Sequence, residues 1–160
     1  MNEFDIIEKY FAPLSKDGLK DDAAVLAVPE GHELVVTSDT LNQGTHFLDS
    51  AKPAQIAHKA LRVNLSDLAS MGAQPLAYQL NIAFPKKPEE GWLKAFTAAL
   101  KEDQEEFGIF CSGGDTTTIK GPLSISITAM GVVETGKAIT RGGAQDGDIL
   151  LLSGPIGDAY

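Results

Sequence analysis

Hydrophobic residues recur along this chain with two different periods, and each period predicts its own kind of element. Trp92, Phe96 and Leu100 stand four residues apart, which predicts an amphipathic helix that opens near Pro88 and ends at Gly108. Residues 123–133 alternate apolar with polar side chains, which predicts a half-buried strand. Two further helices are predicted, one at residues 3–11 with Phe4, Ile7 and Phe11 on one face, and one from Pro53 to Met71. The other predicted strands are at 23–28, 33–38, 76–84, 109–112 and 149–152.

The order of these elements sets the fold class and the domain organisation. Strands and helices are mixed along the chain without an internal repeat, so we expect an α/β or α+β fold with a mixed sheet. Residues 1–148 are expected to form one N-terminal domain. Residues 149–160, which end in SGPIGDAY, look like the start of a second domain that is cut short.

The composition excludes several classes of protein. The chain has 160 residues, of which 43% are hydrophobic and 22% charged, as in a globular domain. Its net charge of −9 argues against a nucleic-acid partner, which needs a basic face, and no apolar run is long enough to span a membrane. The start, MNEFDIIEKY, lacks a signal-peptide pattern, and one cysteine makes no disulfide framework, so the expected location is cytoplasmic.

Four aspartates stand at the ends of predicted elements or on an otherwise apolar helix: Asp22, Asp39, Asp67 and Asp115. Taken one at a time they are explained as turns and caps, where Asp is common. If they converge, they form a site for Mg²⁺, which prefers oxygen ligands and usually binds together with nucleotide phosphates. Such a site would let an acidic protein bind ATP.

Three other features of the sequence bear on this site. Residues 131–137 (GVVETGK) fit the GxxxxGK phosphate-binding pattern, but Ala138 replaces the required Ser or Thr and no helix follows. His46, in the loop after Asp39, is the histidine placed nearest the expected site. Cys111 lies in a predicted strand and is expected to be an inert buried thiol.

Five motifs follow one another along the chain: DDAAVL, LVVTSDTLNQGTHF, KALRVNLSDLASMGAQP, GGDTTTIKGPLSISITAMG and AITRGGAQDGDILLLSGPIGDA. In this order and at this spacing they closely resemble the motifs of thiamine-monophosphate kinases. The chain resembles this family over residues 3–160. The resemblance implies the N-terminal domain of the aminoimidazole ribonucleotide synthetase-like superfamily, which dimerises through its sheet and binds ATP near that interface. It implies ATP-dependent phosphorylation of thiamine monophosphate to thiamine diphosphate, with this half inactive alone.

The resemblance also implies roles for single residues. Gly114 and Asp115 match the turn that contacts ATP, Arg141 matches an arginine near the nucleotide, and His46 matches a substrate-contacting position. Lys20 departs from the family, which commonly has glycine there. The positions that match the family's Mg²⁺ ligands are Asp22, Thr37, Ser38, Asp39, Asp67 and Asp115.

Two alternatives stay open at this point. One is a sibling ATP-dependent synthetase, of the aminoimidazole ribonucleotide or the selenophosphate type, although the latter would need a reactive cysteine near the N-terminus. The other is a non-catalytic module that binds nucleotide or dimerises.

Overall fold

The computed structural model of the chain describes residues 3–152 and residue 154, and its main feature is a sheet covered on one face by two long helices. The chain opens with a short helix, α1 (Glu3–Ile6), which continues as a π-helical turn (Ile7–Phe11) and a 3₁₀ turn (Ala12–Leu14). The remaining elements are β1 (His32–Asn42), α2 (Pro53–Ser70), β2 (Gln74–Phe84), α3 (Glu90–Phe107), β3 (Phe110–Thr118) and β4 (Ser124–Glu134). Within the described residues, no helix has the length and apolar character needed to cross a membrane.

The sheet is mixed, as the sequence predicts. Its strand order is β1-β4-β2-β3. Strand β4 pairs antiparallel with both β1 and β2, whereas β2 and β3 are parallel and are joined by α3 in a βαβ unit. Strands β1 and β3 are therefore the two edges of the sheet.

The hydrophobic core lies between the sheet and helices α2 and α3. Phe96 and Leu100 of α3 are fully buried, and so is Ile125 of β4, which confirms the two hydrophobic periods in the sequence. Trp92 stacks on Phe96 with 4.8 Å between ring centroids. Burial of each large apolar side chain contributes about 1.5–3 kcal/mol, which makes this layer the main source of stability.

The other face of the sheet, which we call the open face, is not covered by a helix in the described part of the chain. Two hydroxyl pairs bridge neighbouring strands on it: Ser38 with Thr128 at 3.0 Å, and Thr40 with Ser126 at 2.7 Å. Farther along β1, Leu34 and Val36 are 44% and 56% exposed. The open face therefore has a polar centre and an apolar end.

Two predicted strands are absent from the described structure. Residues 23–28 form no strand, and Val25 is 99% exposed. Residues 149–152 also form no strand, and their four side chains are largely exposed. Both segments favour strands by composition, but a strand needs a partner for its backbone groups, and no described strand lies beside them.

The N-terminal segment buries a different face from the predicted one. The sequence predicts Phe4, Ile7 and Phe11 on one helical face, but Phe4 is 79% exposed. The buried side chains are those of Ile6, Tyr10 and Phe11. The π-helical turn accounts for the difference, because Tyr10 and Phe11 lie within it and its wider turn changes their position relative to Ile6.

Candidate functional site

A cleft of about 320 Å³ lies at the free edge of β3. One wall consists of β3 from Cys111 to Thr116, together with Gln79–Asn81 of β2. The opposite wall is the loop between Asp17 and Ala24, backed by the N-terminal helical segment. The carboxylates that line the cleft are those of Asp17, Asp21, Asp22 and Asp115.

The Gly113-Gly114 pair lies inside β3, although the sequence predicts that the strand ends at Ser112 and that the glycines form a turn. Gly114 has a φ of +146°, and a Cβ added to it would stand 1.8 Å from the carbonyl oxygen of Leu80 on β2. At Gly113 the nearest such neighbour is 3.9 Å away. The need for glycine at position 114 thus comes first from the close approach of the two strands.

Asp115 belongs to the open face of the sheet. It lies opposite Asn81 in the β2–β3 pairing, and Asn81 lies opposite Ser126 in the β2–β4 pairing. Ser126 is one of the residues of the hydroxyl pairs on that face. The open face therefore offers carboxylate, amide and hydroxyl oxygens along one row of neighbouring strands, and Asp115 and Asn81 of this row also line the cleft.

A second group of the expected ligands lies at the opposite edge, on the helix-covered face. The Thr37 hydroxyl of β1 donates a hydrogen bond of 2.7 Å to Oδ2 of Asp67, which is on α2. Asp39 follows Thr37 by two residues and so faces the same side of the strand. This hydrogen bond fixes α2 to β1 and leaves Oδ1 of Asp67 free of hydrogen bonds among the described residues.

Ser38 is directed away from this second group. Its hydroxyl donates to the carbonyl of Ile127 at 3.2 Å and pairs with Thr128 on the open face. Asn64 is fully buried and donates to the carbonyl of Ala60, whereas Asp67 is exposed, because the two residues sit on neighbouring faces of α2.

The four expected aspartates therefore form two pairs rather than one cluster. Asp22 and Asp115 line the cleft beside β3, while Asp39 and Asp67 lie at β1, roughly 14 Å away across three strand spacings. Within the described ranges, no three His, Cys, Asp or Glu side chains are close enough to one another to hold a metal ion. The assignment of these residues as Mg²⁺ ligands stays a prediction.

The remaining two expected site residues lie outside the cleft wall. His46 is exposed, its Nδ1 accepts a hydrogen bond from the backbone N–H of Asn42 at 3.0 Å, and its carbonyl accepts one from Nζ of Lys59 at 2.6 Å. These contacts fix the loop and leave Nε2 without a partner among the described residues. Arg141 is exposed and follows Ile139, whose N–H donates to the carbonyl of Met71 at the end of α2.

Cys111 lies in the cleft wall but is 2% exposed, which confirms the prediction of a buried thiol. Its sulfur contacts the carbonyl oxygen of Gly113 at 3.4 Å. Burial raises the pKa of this thiol to about 11. At neutral pH the sulfur is therefore protonated and a poor nucleophile.

Sequence reasoning missed a buried carboxylate, Asp103, which is fully buried between α2 and α3. Its Oδ1 accepts hydrogen bonds from Nε and Nη2 of Arg62 at 3.0 and 2.7 Å and contacts Nδ1 of His58 at 2.9 Å. The hydrogen bond to Asp103 raises the pKa of Arg62. Asp103 lies three residues after Leu100, on the apolar stripe of α3, and this spacing is the signal that could have found it.

Asp17, also missed, is a fourth cleft carboxylate beside Asp21, Asp22 and Asp115. A hydrogen bond of 2.6 Å from the Ser15 hydroxyl lowers the pKa of Asp17, with a smaller contribution from its bond to a backbone amide. These hydrogen bonds favour the charged form of the Asp17 carboxyl. Its position outside the motifs left no sequence signal.

The chain matches known proteins in both sequence and fold. Residues 20–133 match the model of the family described as AIR synthase related protein, N-terminal domain, and the chain belongs to that family. It is 42% identical to a thiamine-monophosphate kinase of Haemophilus influenzae over 99% of this chain and 49% of that protein. The chain thus spans about half the length of the curated relatives it matches.

Solved structures give the same result. The crystal structure of thiamine-monophosphate kinase from Stenotrophomonas maltophilia K279a superposes with a TM-score of 0.77 at 42% identity, over 91% of this chain and 46% of that one. AaThiL complexed with AMPPCP and TMP superposes with a TM-score of 0.68 at 26% identity, over 91% of this chain and 47% of that one. The resemblance and fold class predicted from the five motifs are confirmed.

Proposed function

We propose that this chain is the nucleotide-binding half of a thiamine-monophosphate kinase, which transfers the γ-phosphoryl group of ATP to the phosphate of thiamine monophosphate. One observation carries the proposal: Asp22 and Asp115, from two distant motifs, line the same cleft at the free edge of β3. The likeness to a relative complexed with AMPPCP, a methylene analogue of ATP, supports ATP as a ligand of the proposed kinase. The proposed location is the cytoplasm, where ATP is available.

The side chains at both edges of the sheet fit Mg²⁺ in kind. Asp22 and Asp115 offer carboxylates in the cleft, and Asp39 and Asp67 offer carboxylates beside the Thr37 hydroxyl. Mg²⁺ in enzymes of this type is commonly held by one or two carboxylates, with phosphate and water in the remaining positions. Two separate pairs therefore suit two separate Mg²⁺ sites, each completed by phosphate or water. Bound Mg²⁺ would neutralise the charge of the phosphates.

The proposed reaction demands little acid–base chemistry from the protein. The acceptor is a phosphate with a second pKa near ~6, so it is largely ionised at neutral pH and needs no strong base. The task of the residues is to hold two polyanions in line and to neutralise them. In this proposal Arg141 adds a fixed positive charge near the nucleotide, and His46 contacts thiamine monophosphate through the nitrogen that its loop leaves free.

The open face is the proposed contact between two copies of the chain. It lacks a helical cover in the described residues, and it carries the exposed side chains of Leu34 and Val36 beside the central hydroxyl pairs. A second copy would bury these apolar groups. Because Asp115 lies on the same face, a homodimer of this kind would place the β3 cleft close to the interface.

A non-catalytic module is the second candidate for the isolated chain. The specific observation in its favour is length, since the chain covers 49% of the relative from Haemophilus influenzae. Residues 149–160 fit the start of the second domain, and the complete active site would require it. We therefore propose that this half binds nucleotide and is inactive alone. A sibling synthetase activity has no comparable support from the described residues.

Calorimetric titration with AMPPCP, with and without Mg²⁺, tests the proposal. We expect binding only with Mg²⁺, and we expect Asp115→Asn and Asp39→Asn each to abolish it while the circular dichroism spectrum stays unchanged. Glu105→Gln is the matched control, because Glu105 is exposed on α3, away from the cleft. Unchanged affinity in Asp39→Asn alone would remove the β1 pair from the site. No binding by the unaltered chain would contradict the proposed function.

A further inference from the structure

The loop that forms the outer wall of the cleft is organised by one hydroxyl group. Oγ of Ser15 accepts hydrogen bonds from three successive backbone amides, those of Asp17 at 3.2 Å, Gly18 at 2.8 Å and Leu19 at 3.2 Å. The same hydroxyl donates to Oδ1 of Asp17 at 2.6 Å. A serine side chain that replaces missing backbone partners in this way stabilises a tight turn.

The turn holds Leu19 in an unfavourable conformation. Leu19 has a φ of +54°, a region that residues with a bulky side chain rarely adopt. Its amide donates to both Ser15 Oγ and Asp17 Oδ1, each at 3.2 Å, and these two bonds oppose the strain. The side chain of Leu19 lines the cleft next to Ile7 and Phe11. Strain that is maintained by the surrounding contacts occurs preferentially at functional sites.

The loop is also attached to β3, the strand that forms the opposite wall of the cleft. Nζ of Lys16 lies 3.9 Å from the centroid of the Phe110 ring, at the start of β3. A cation over an aromatic face is attracted by the ring. The loop is therefore held at its beginning by the Phe110 contact and along residues 15–19 by Ser15. Asp21 and Asp22 follow this fixed segment after one intervening residue, Lys20.

We propose that Ser15 is a positioning residue for the nucleotide site. Its hydroxyl fixes residues 15–19 so that Asp21 and Asp22 stand at the cleft opposite Asp115. Ser15 lies outside the five motifs, so the inference comes from the contacts alone. It rests on the proposed function, because the benefit of placing these carboxylates is the binding of a nucleotide with Mg²⁺.

The test is the affinity of the chain for AMPPCP with Mg²⁺ in three variants. In Ser15→Ala the three amides lose their acceptor, and we expect the Kd to rise about tenfold, which corresponds to about 1.4 kcal/mol. Ser15→Thr keeps a hydroxyl at the same place and is expected to restore the affinity. Ser66→Ala is the matched control, since the Ser66 hydroxyl is exposed on α2 and makes no hydrogen bond among the described residues.

The outcomes separate this role from a purely structural one. A lower melting temperature in Ser15→Ala with an unchanged Kd would overturn the proposal, as would a failure of Ser15→Thr to restore binding. If the unaltered chain does not bind AMPPCP, both the proposed function and the role of Ser15 are overturned. Binding that survives Ser15→Ala overturns only the role of Ser15.

A second measurement needs no variant. Amide hydrogen exchange reports the order of the loop directly, because the N–H groups of Asp17, Gly18 and Leu19 donate to Ser15. We expect these amides to exchange more slowly when AMPPCP and Mg²⁺ are bound. Equal exchange rates in the free and bound protein would contradict a role of this loop in the site.

Discussion

Replacement of Gly114 by alanine should destabilise the protein more than any other single methyl group added to β3. The new Cβ would lie 1.8 Å from the carbonyl oxygen of Leu80, and since such contacts are not found below 3.0 Å, the strands must separate by at least 3.0 − 1.8 = 1.2 Å. The positive φ of Gly114 adds backbone strain. Overpacking and strain each cost about 1–3 kcal/mol, so we expect a loss of about 2–6 kcal/mol.

The assay is urea unfolding of Gly114→Ala beside Gly113→Ala. The control adds the same methyl group one residue earlier, where the nearest neighbour of a Cβ is 3.9 Å away, and its loss should stay within about 1 kcal/mol. A total stability of about 5–15 kcal/mol makes the difference easy to detect as a lower midpoint at similar m-value. Equal midpoints for the two variants would refute the argument that β2 excludes a side chain at position 114.

Two further predictions concern the buried polar groups. Arg62→Met should lower the free energy of unfolding by about 2 kcal/mol in the same urea assay, because the buried carboxylate of Asp103 loses its charged hydrogen-bond donors. Glu106→Gln breaks only an exposed ion pair with Arg62, so it should change the free energy of unfolding by about 0.5 kcal/mol or less. The second is alkaline sensitivity. Burial raises the pKa of Cys111 to about 11 and also raises that of Tyr78, so the folded state holds these protons more tightly than the unfolded state. The contribution of Cys111 to the free energy of unfolding should be fully present below the ordinary thiol pKa of 9.0 and should fall by about 2–3 kcal/mol as the pH rises toward about 11. Cys111→Ala should remove that part of the decline.

The long amphipathic elements were the predictable part of the fold. Helix α3 and strand β4 have strong hydrophobic periods, and burial of Phe96 and Ile125 follows from them. Residues 23–28 have an equally good strand composition but no strand, because pairing depends on a neighbour that a local pattern cannot reveal. The extension of β3 through Gly113 and Gly114 was missed for the same reason, since the partner strand decides whether glycines bend the chain or pair.

The candidate site was predictable as a set of residues but not as an arrangement. The motifs identified Asp39 and Asp115, yet the strand order alone places β1 and β3 at opposite edges of the sheet. The side chain of Ser38 points to the opposite face of the sheet from those of Thr37 and Asp39, because side chains alternate along a strand, and this could be assigned only once the pairing of β1 was known. Ser15 and Asp17 were not predictable, because their importance comes from hydrogen bonds within a short loop that has no distinctive composition.

The strand order also has a consequence for the time course of folding during synthesis. Strand β1 pairs only with β4 among the described strands, and bonds such as that between Thr40 and Ser126 join residues 86 positions apart. During synthesis on the ribosome, β1 can therefore pair only after β4 has emerged, by which time the β2-α3-β3 unit is already complete. During that interval the apolar side chains of β1 lack their partner strand, and unpaired apolar strands of this kind favour aggregation.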